Sequence, residues 1–352
     1  WPLEGIGLFL LKLGVSIVLF EAGGRIALRW FRHNPMVLVQ SLLEAALTFG
    51  FVYYTLRWLG MAATASEALA AIAMVGSPAL LSRIRLDTRA NGPMTERATV
   101  LTTLGALYAL LLVSARTSVM GRARDSALDT VLPIVVVLSL SLLVGAAMAY
   151  ALRMALRMMS PTSENTSILL LSLIAAGTAV VSHLGGSAPL AALLGGILLK
   201  QLTPRPWAWP RQMGTAASLL VMLNFVLVSV VAAQAPWNPA VVGLVMAFLG
   251  ARLLGKVLGV NLANWGSGLG WGKAFWTGCA MLPMSSVALL LVVQFVAASP
   301  RLGPSIASVA LPAILLMEVM GAIIATYAIY RAGESTQPLA ARALAAPRER
   351  HG

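Results

Sequence analysis

Two stretches decide how this chain is read: Ala71-Ile72-Ala73-Met74-Val75-Gly76-Ser77-Pro78 and Leu282-Pro283-Met284-Ser285-Ser286-Val287-Ala288. Each lies in the middle of an apolar run, Ser66–Ile84 and Gly272–Ala298, of about the length that crosses a bilayer. Proline removes a backbone donor and clashes with the preceding turn, so each run must bend or break there. In lipid the freed backbone groups need partners, and such breaks persist where they are buried in protein or line a wet cavity. One proline kink fits a packing role. Two breaks in corresponding halves, each followed by one further span, point to a transport site.

Working outward, the same kind of run recurs along the chain. Eleven stretches qualify as membrane helices: Ile6–Arg29, Pro35–Leu59, Ser66–Ile84, Thr95–Ser114, Thr130–Met154, Ser167–His183, Pro189–Leu202, Met213–Ala233, Pro239–Leu262, Gly272–Ala298 and Ser305–Tyr330. The fold class is therefore all-α and polytopic. The three spans Pro35–Leu59 to Thr95–Ser114 pair with the three from Pro239–Leu262 to Ser305–Tyr330. An odd number per unit makes the two copies insert in opposite directions, an inverted repeat.

Of 352 residues, 59% are hydrophobic and 11% charged. Soluble domains carry about a quarter charged residues, so a soluble enzyme and a disordered chain are excluded. The net charge of +13 is spread between apolar runs rather than gathered into a patch, which argues for membrane topology and against nucleic acid. A single cysteine, Cys279, excludes a disulfide scaffold and reads as a small packing residue. The first residue is Trp1, with no charged leader ahead of the first run, so the natural start is expected to lie upstream.

Basic residues near span ends set orientation. Arg29, Arg32, Arg83, Arg85, Arg89, Arg97, Arg153, Arg157, Lys200, Arg205, Arg211, Lys273 and the tail from Arg331 fall on one side, which is expected to be cytoplasmic. Arg57, Arg116, Arg122, Arg124 and Arg301 fall on the other. Residues 1–330 form one transmembrane domain, and 331–352 read as a flexible cytoplasmic tail.

Charge inside an apolar run costs several kcal/mol and raises a functional question. Arg252 and Lys256 are four apart, on one helical face. Glu318 sits in the last span, Glu21 in the first and Glu44 in the second. His183, at a span end beside Gly185-Gly186, reads as interfacial. The sequence has no metal-ligand spacing and no nucleophile–base pair, so neither a metal site, a cofactor nor an enzyme is expected.

At this point the residues resemble the monovalent cation/proton antiporter superfamily, the Kef-type and sodium/proton exchanger group, from about Gly5 to Tyr330. Leu13-Gly14 through Phe20-Glu21-Ala22-Gly23-Gly24 is similar to that group's early glycine-bearing helix. The first interrupted helix is matched by Ala71 to Pro78, and the start of the next by Thr95-Glu96-Arg97. Ala191-Ala192-Leu193-Leu194-Gly195-Gly196, Ala251-Arg252-Leu253-Leu254-Gly255-Lys256, Leu282 to Ala288 and Glu318-Val319-Met320-Gly321 follow in the family's order.

The resemblance implies a core in which the two interrupted helices cross, a homodimer, a bacterial inner-membrane location and exchange of Na⁺ or K⁺ for H⁺ by alternating access. It also implies thirteen helices, so two N-terminal ones would be missing. One departure stands out. The family's ion-binding Asp falls on the helix after the first break, where this chain has Leu104-Gly105-Ala106-Leu107-Tyr108, with Leu107 or Tyr108 in the expected place.

Three readings follow. In the first, exchange persists with atypical coupling: Lys256, stripped of its usual acidic partner, carries the proton, Glu318 supplies the carboxylate or pairs with Lys256, and Ser77, Ser285 and Ser286 offer oxygens beside Pro78 and Pro283. In the second, Arg252 and Lys256 make the midplane positive and suit an anion or acidic solute. In the third, the chain is a transport-inactive sensor or complex subunit. Gly145-Ala146-Ala147 and Gly195-Gly196 should allow close helix approach in all three.

Overall fold

The computed structural model describes residues 5–119, 127–159, 164–203, 237–284, 286–299 and 301–335, with isolated positions between 219 and 230. The described residues form helices and turns. In chain order the helices are α1 (Gly5–Gly23), α2 (Leu28–His33), α3 (Pro35–Trp58), α4 (Ala63–Met74), α5 (Pro78–Asp87), α6 (Pro93–Val119), α7 (Ala127–Met158), α8 (Glu164–His183), α9 (Ala188–Leu202), α10 (Pro239–Leu262), α11 (Trp271–Ala280), α12 (Ser286–Ala298) and α13 (Gly303–Arg331). Among the described residues, eight candidate spans have the length and hydropathy to cross a bilayer.

Proline marks the starts. Pro35, Pro78, Pro93 and Pro239 open their helices, where the missing N–H would have had no partner. Ser77 and Asn238 add side-chain caps, accepting from the amides of Leu80 and Val241. Both expected breaks are real: Val75-Gly76-Ser77 separates α4 from α5, and residues 281–284 follow the end of α11 without helical structure before α12. Span boundaries agree closely with the sequence reading, with one correction. The first span ends at Gly23, and Arg29 belongs to the separate short helix α2. The expected span Met213–Ala233 lies largely outside the described residues.

The helices form two groups. α3 to α6 and α10 to α13 share one large core. α1, α7, α8 and α9 pack around Ile17, Phe20, Met148, Leu152, Leu170 and Ile174. In the second group glycine permits backbone contact: a Cβ on Gly196 would collide with the Phe20 carbonyl, and one on Gly145 would lie 2.6 Å from the Ala191 oxygen.

Contacts at one end fix the relative direction of the broken spans. The Arg97 guanidinium, near the start of α6, donates to the Ser267 carbonyl in the α10–α11 loop at 2.9 Å. Glu334, just after α13, accepts from the amides of Met94 and Thr95 at 2.9 and 2.8 Å. Its carboxylate also meets Lys273 of α11 at 3.2 Å. The α4–α5 span thus ends on the face where α11–α12 begins, so the two broken spans run antiparallel, as an inverted repeat requires. Residues up to Ser335 are docked: Glu334 is 5% exposed and Ser335 donates to the Thr88 carbonyl at 3.0 Å. A loose tail therefore does not begin at 331, and residues 336–352 lie outside the described residues.

Candidate functional site at the crossing of the broken spans

A helix that stops inside a membrane leaves its last carbonyls without intrahelical partners. Here α4 stops at Met74 and α11 at Ala280, and one side chain serves both. The Arg252 fork donates from Nε to the Ala73 oxygen at 3.0 Å and from Nη2 to the Val75 oxygen at 2.7 Å. It reaches the Leu282 oxygen through Nη1 and the Met281 oxygen through Nη2 at 3.4 Å. The planar guanidinium has enough donors for all four, and a cation is favoured at the negative ends of two helices. Arg252 is 0% exposed. Its charge is thus consumed in holding the crossing together.

One turn further along α10, Lys256 is also fully buried. Its Nζ donates to Glu44 Oε1 at 2.6 Å and to the Met74 carbonyl at 3.2 Å. Glu44, on α3, is buried to the same degree, and its Oε1 also accepts from the Thr48 hydroxyl at 3.1 Å. Its Oε2 has no hydrogen-bond partner among the described residues. This corrects two expectations. Lys256 does not lack an acidic partner, and the partner is not Glu318.

Small residues bring the pair together. Gly255 and Gly259 flank Lys256, and a Cβ on either would collide with the α3 backbone, at Thr48 and at Glu44 respectively. On α6, a Cβ on Gly105 would lie 2.9 Å from the Met74 oxygen and 3.9 Å from Glu44 Oε2. The unpartnered carboxylate oxygen thus faces α6 at Gly105.

The other anticipated residues scatter around this centre. Tyr108 points toward α3, its hydroxyl 2.8 Å from Ser41 Oγ. Leu107 packs half-buried on the main core. Ser77 and Pro78 cap and open α5, and Ser77 Oγ is engaged by the Leu80 amide at 3.3 Å. Pro283 lies against α13, where a Cβ on Gly321 would sit 2.7 Å from its Cα. Ser286 is buried at the first position of α12, and Ser285 lies outside the described residues. Glu318 is half-buried on α13, and its Oε2 has no hydrogen-bond partner among the described residues. Glu21 pairs with Arg25 at 2.6 Å and Glu67 with Arg116 at 2.8 Å. His183 is exposed, and Cys279 is buried with a free thiol. No group of three or more His, Cys, Asp or Glu that could hold a metal occurs among the described residues.

Sequence reasoning missed the cluster at the start of α6. Burial opposes ionisation of Glu334, but hydrogen bonds from the amides of Thr95 and Met94, the Thr95 hydroxyl and Lys273 outweigh it. Together they hold its carboxyl below the usual range. An anion at a helix N-terminus is the signature of this arrangement.

The sequence matches the family model "Sodium/hydrogen exchanger, transmembrane" over residues 6–330. Among solved structures, the fold is similar to the sodium proton antiporter MjNhaP1 from Methanocaldococcus jannaschii at pH 8, with a TM-score of 0.64 and 14% sequence identity. That match covers 93% of this chain and 91% of the archaeal one. No curated protein matches. The chain belongs to the sodium/hydrogen exchanger family, a family of membrane transporters and not of enzymes.

Proposed function

We propose that this member of the sodium/hydrogen exchanger family exchanges a monovalent cation, Na⁺ or K⁺, for protons by alternating access, with Lys256 as the proton carrier. The observation that carries the reading is the fully buried Lys256 ammonium, held at the carbonyl end of α4 where the two broken spans cross, 2.6 Å from a carboxylate. A cation that takes over the oxygens around the ammonium leaves Lys256 without partners, and its N–H proton passes to water. A singly charged cation enters as a singly charged proton leaves, so the net charge of the buried pocket is unchanged. A dry interior strongly favours such neutrality.

Rocking of the α3–α6/α10–α13 group against α1 and α7–α9 would expose the pocket to each side in turn. The anion reading needs free cationic donors, yet Arg252 donates to four carbonyls and Lys256 to Glu44 and the Met74 carbonyl. We place the protein in the bacterial inner membrane as a homodimer, with residues Arg89, Arg97, Lys273 and Arg331 on the cytoplasmic side. Flux in proteoliposomes tests the exchange. Proton movement should follow imposed Na⁺ or K⁺ gradients and ignore replacement of chloride by a large anion. Movement that follows the anion, or no movement at all, discards the reading.

A further inference from the structure

Lys256 accounts for the proton but not for the cation, which needs a fixed negative charge in the same pocket. We infer that Glu44, contributed by α3, is the group that binds the transported cation, standing in for the carboxylate that α6 lacks. This deepens the exchange reading and rests on it.

Four observations meet at Glu44. Its carboxylate is fully buried and opposes the lysine directly. One of its oxygens is unpartnered among the described residues, a costly state for a buried acceptor unless a ligand uses it. That oxygen lies 3.9 Å from where a Cβ on Gly105 would be, so the side chain reaches across from α3 into the space in front of α6. Gly255 and Gly259 let α3 come close enough to α10 for this reach. The donor set suits a hard, singly charged ion: two carboxylate oxygens, the Met74 carbonyl now held by Lys256, and the Thr48 hydroxyl. Backbone and carboxylate oxygens replace a hydration shell, and one negative charge balances one positive charge. The ionisable groups around it are Lys256 and Arg252 of α10 and the Tyr108 phenol of α6, itself hydrogen-bonded to Ser41.

The test uses the full chain, purified in detergent, with radioactive sodium and rubidium as probes at alkaline pH, and the same proteins in proteoliposomes. Glu44→Gln should weaken saturable binding by more than about tenfold, the loss expected for one charged contact. Glu44→Asp, which keeps the charge on a shorter arm, should retain binding. Because Glu44→Gln leaves Lys256 unpaired, a second variant, Glu44→Gln/Lys256→Met, removes both charges and should fold without binding. Wild-type binding in either Gln variant overturns the inference. Wild-type exchange that persists in Glu44→Gln overturns it while leaving the exchange reading intact. Absence of both binding and exchange in the wild type overturns the two together.

Discussion

At the scale of single residues, Arg252 and Lys256 lie one helical turn apart and have different work. Arg252 satisfies Ala73, Val75, Met281 and Leu282. Replacing it by Met strands four buried carbonyls at once, at a cost of about 1 kcal/mol or more each. Arg252→Met should therefore lower the melting temperature in detergent sharply, and Arg252→Lys should rescue it only in part, because an ammonium is a point donor rather than a planar fork. Full stability in Arg252→Met would mean that the clamp is dispensable. The sequence made both basic residues legible, since a charge inside an apolar run calls for a partner. Which partner it finds depends on which helix faces it. The sequence reading favoured Glu318 over Glu44, and only the packing of α3 on α10 selects Glu44.

At the scale of elements, the two breaks were the most legible features, because proline within an apolar run has few outcomes. The α3–α10 contact was readable in hindsight: Gly255 and Gly259 bracket Lys256 at the spacing that lets backbones approach. Gly259→Leu should push α3 off α10, part Glu44 from Lys256 and reduce cation flux, even where protein is still inserted. Unchanged flux in that variant would show that the close approach is not needed. Glu334 was illegible because it follows the last span in a segment of tail-like composition, and only the folded α13 delivers it to the start of α6. Its carboxyl is held below the ordinary range, so its contribution to stability is present above about pH 4.3 and is lost as pH falls through the lower folded value. Glu334→Gln should cost about 1 kcal/mol, as for a lost helix cap. The gap in melting temperature between wild type and variant should be open at neutral pH and close in acid. A gap independent of pH would contradict the capping role.

At the scale of the whole molecule, antiparallel broken spans joined by one arginine tie the α3–α6/α10–α13 group together as one body. The inverted repeat was legible from the spacing of the breaks and from the odd number of spans in each unit. A division into two parts was implied by the family resemblance, but which helices join each part was not legible, because that depends on which apolar faces meet. The starts of α6 and α11, with Arg97 and Lys273, the α10–α11 loop and the segment just after α13 gather on one face. A fluorescent reporter fused after Gly352 should light up in the cytoplasm, whereas a periplasm-dependent reporter at that point should be silent. The opposite pattern would invert the orientation. The central claim is that proton release at Lys256 is coupled to cation entry where the broken spans cross. Cation-driven proton flux by reconstituted Lys256→Ala tests it most directly. This variant should insert and fold but move no protons in response to Na⁺ or K⁺. Wild-type, pH-dependent flux from it would contradict the account.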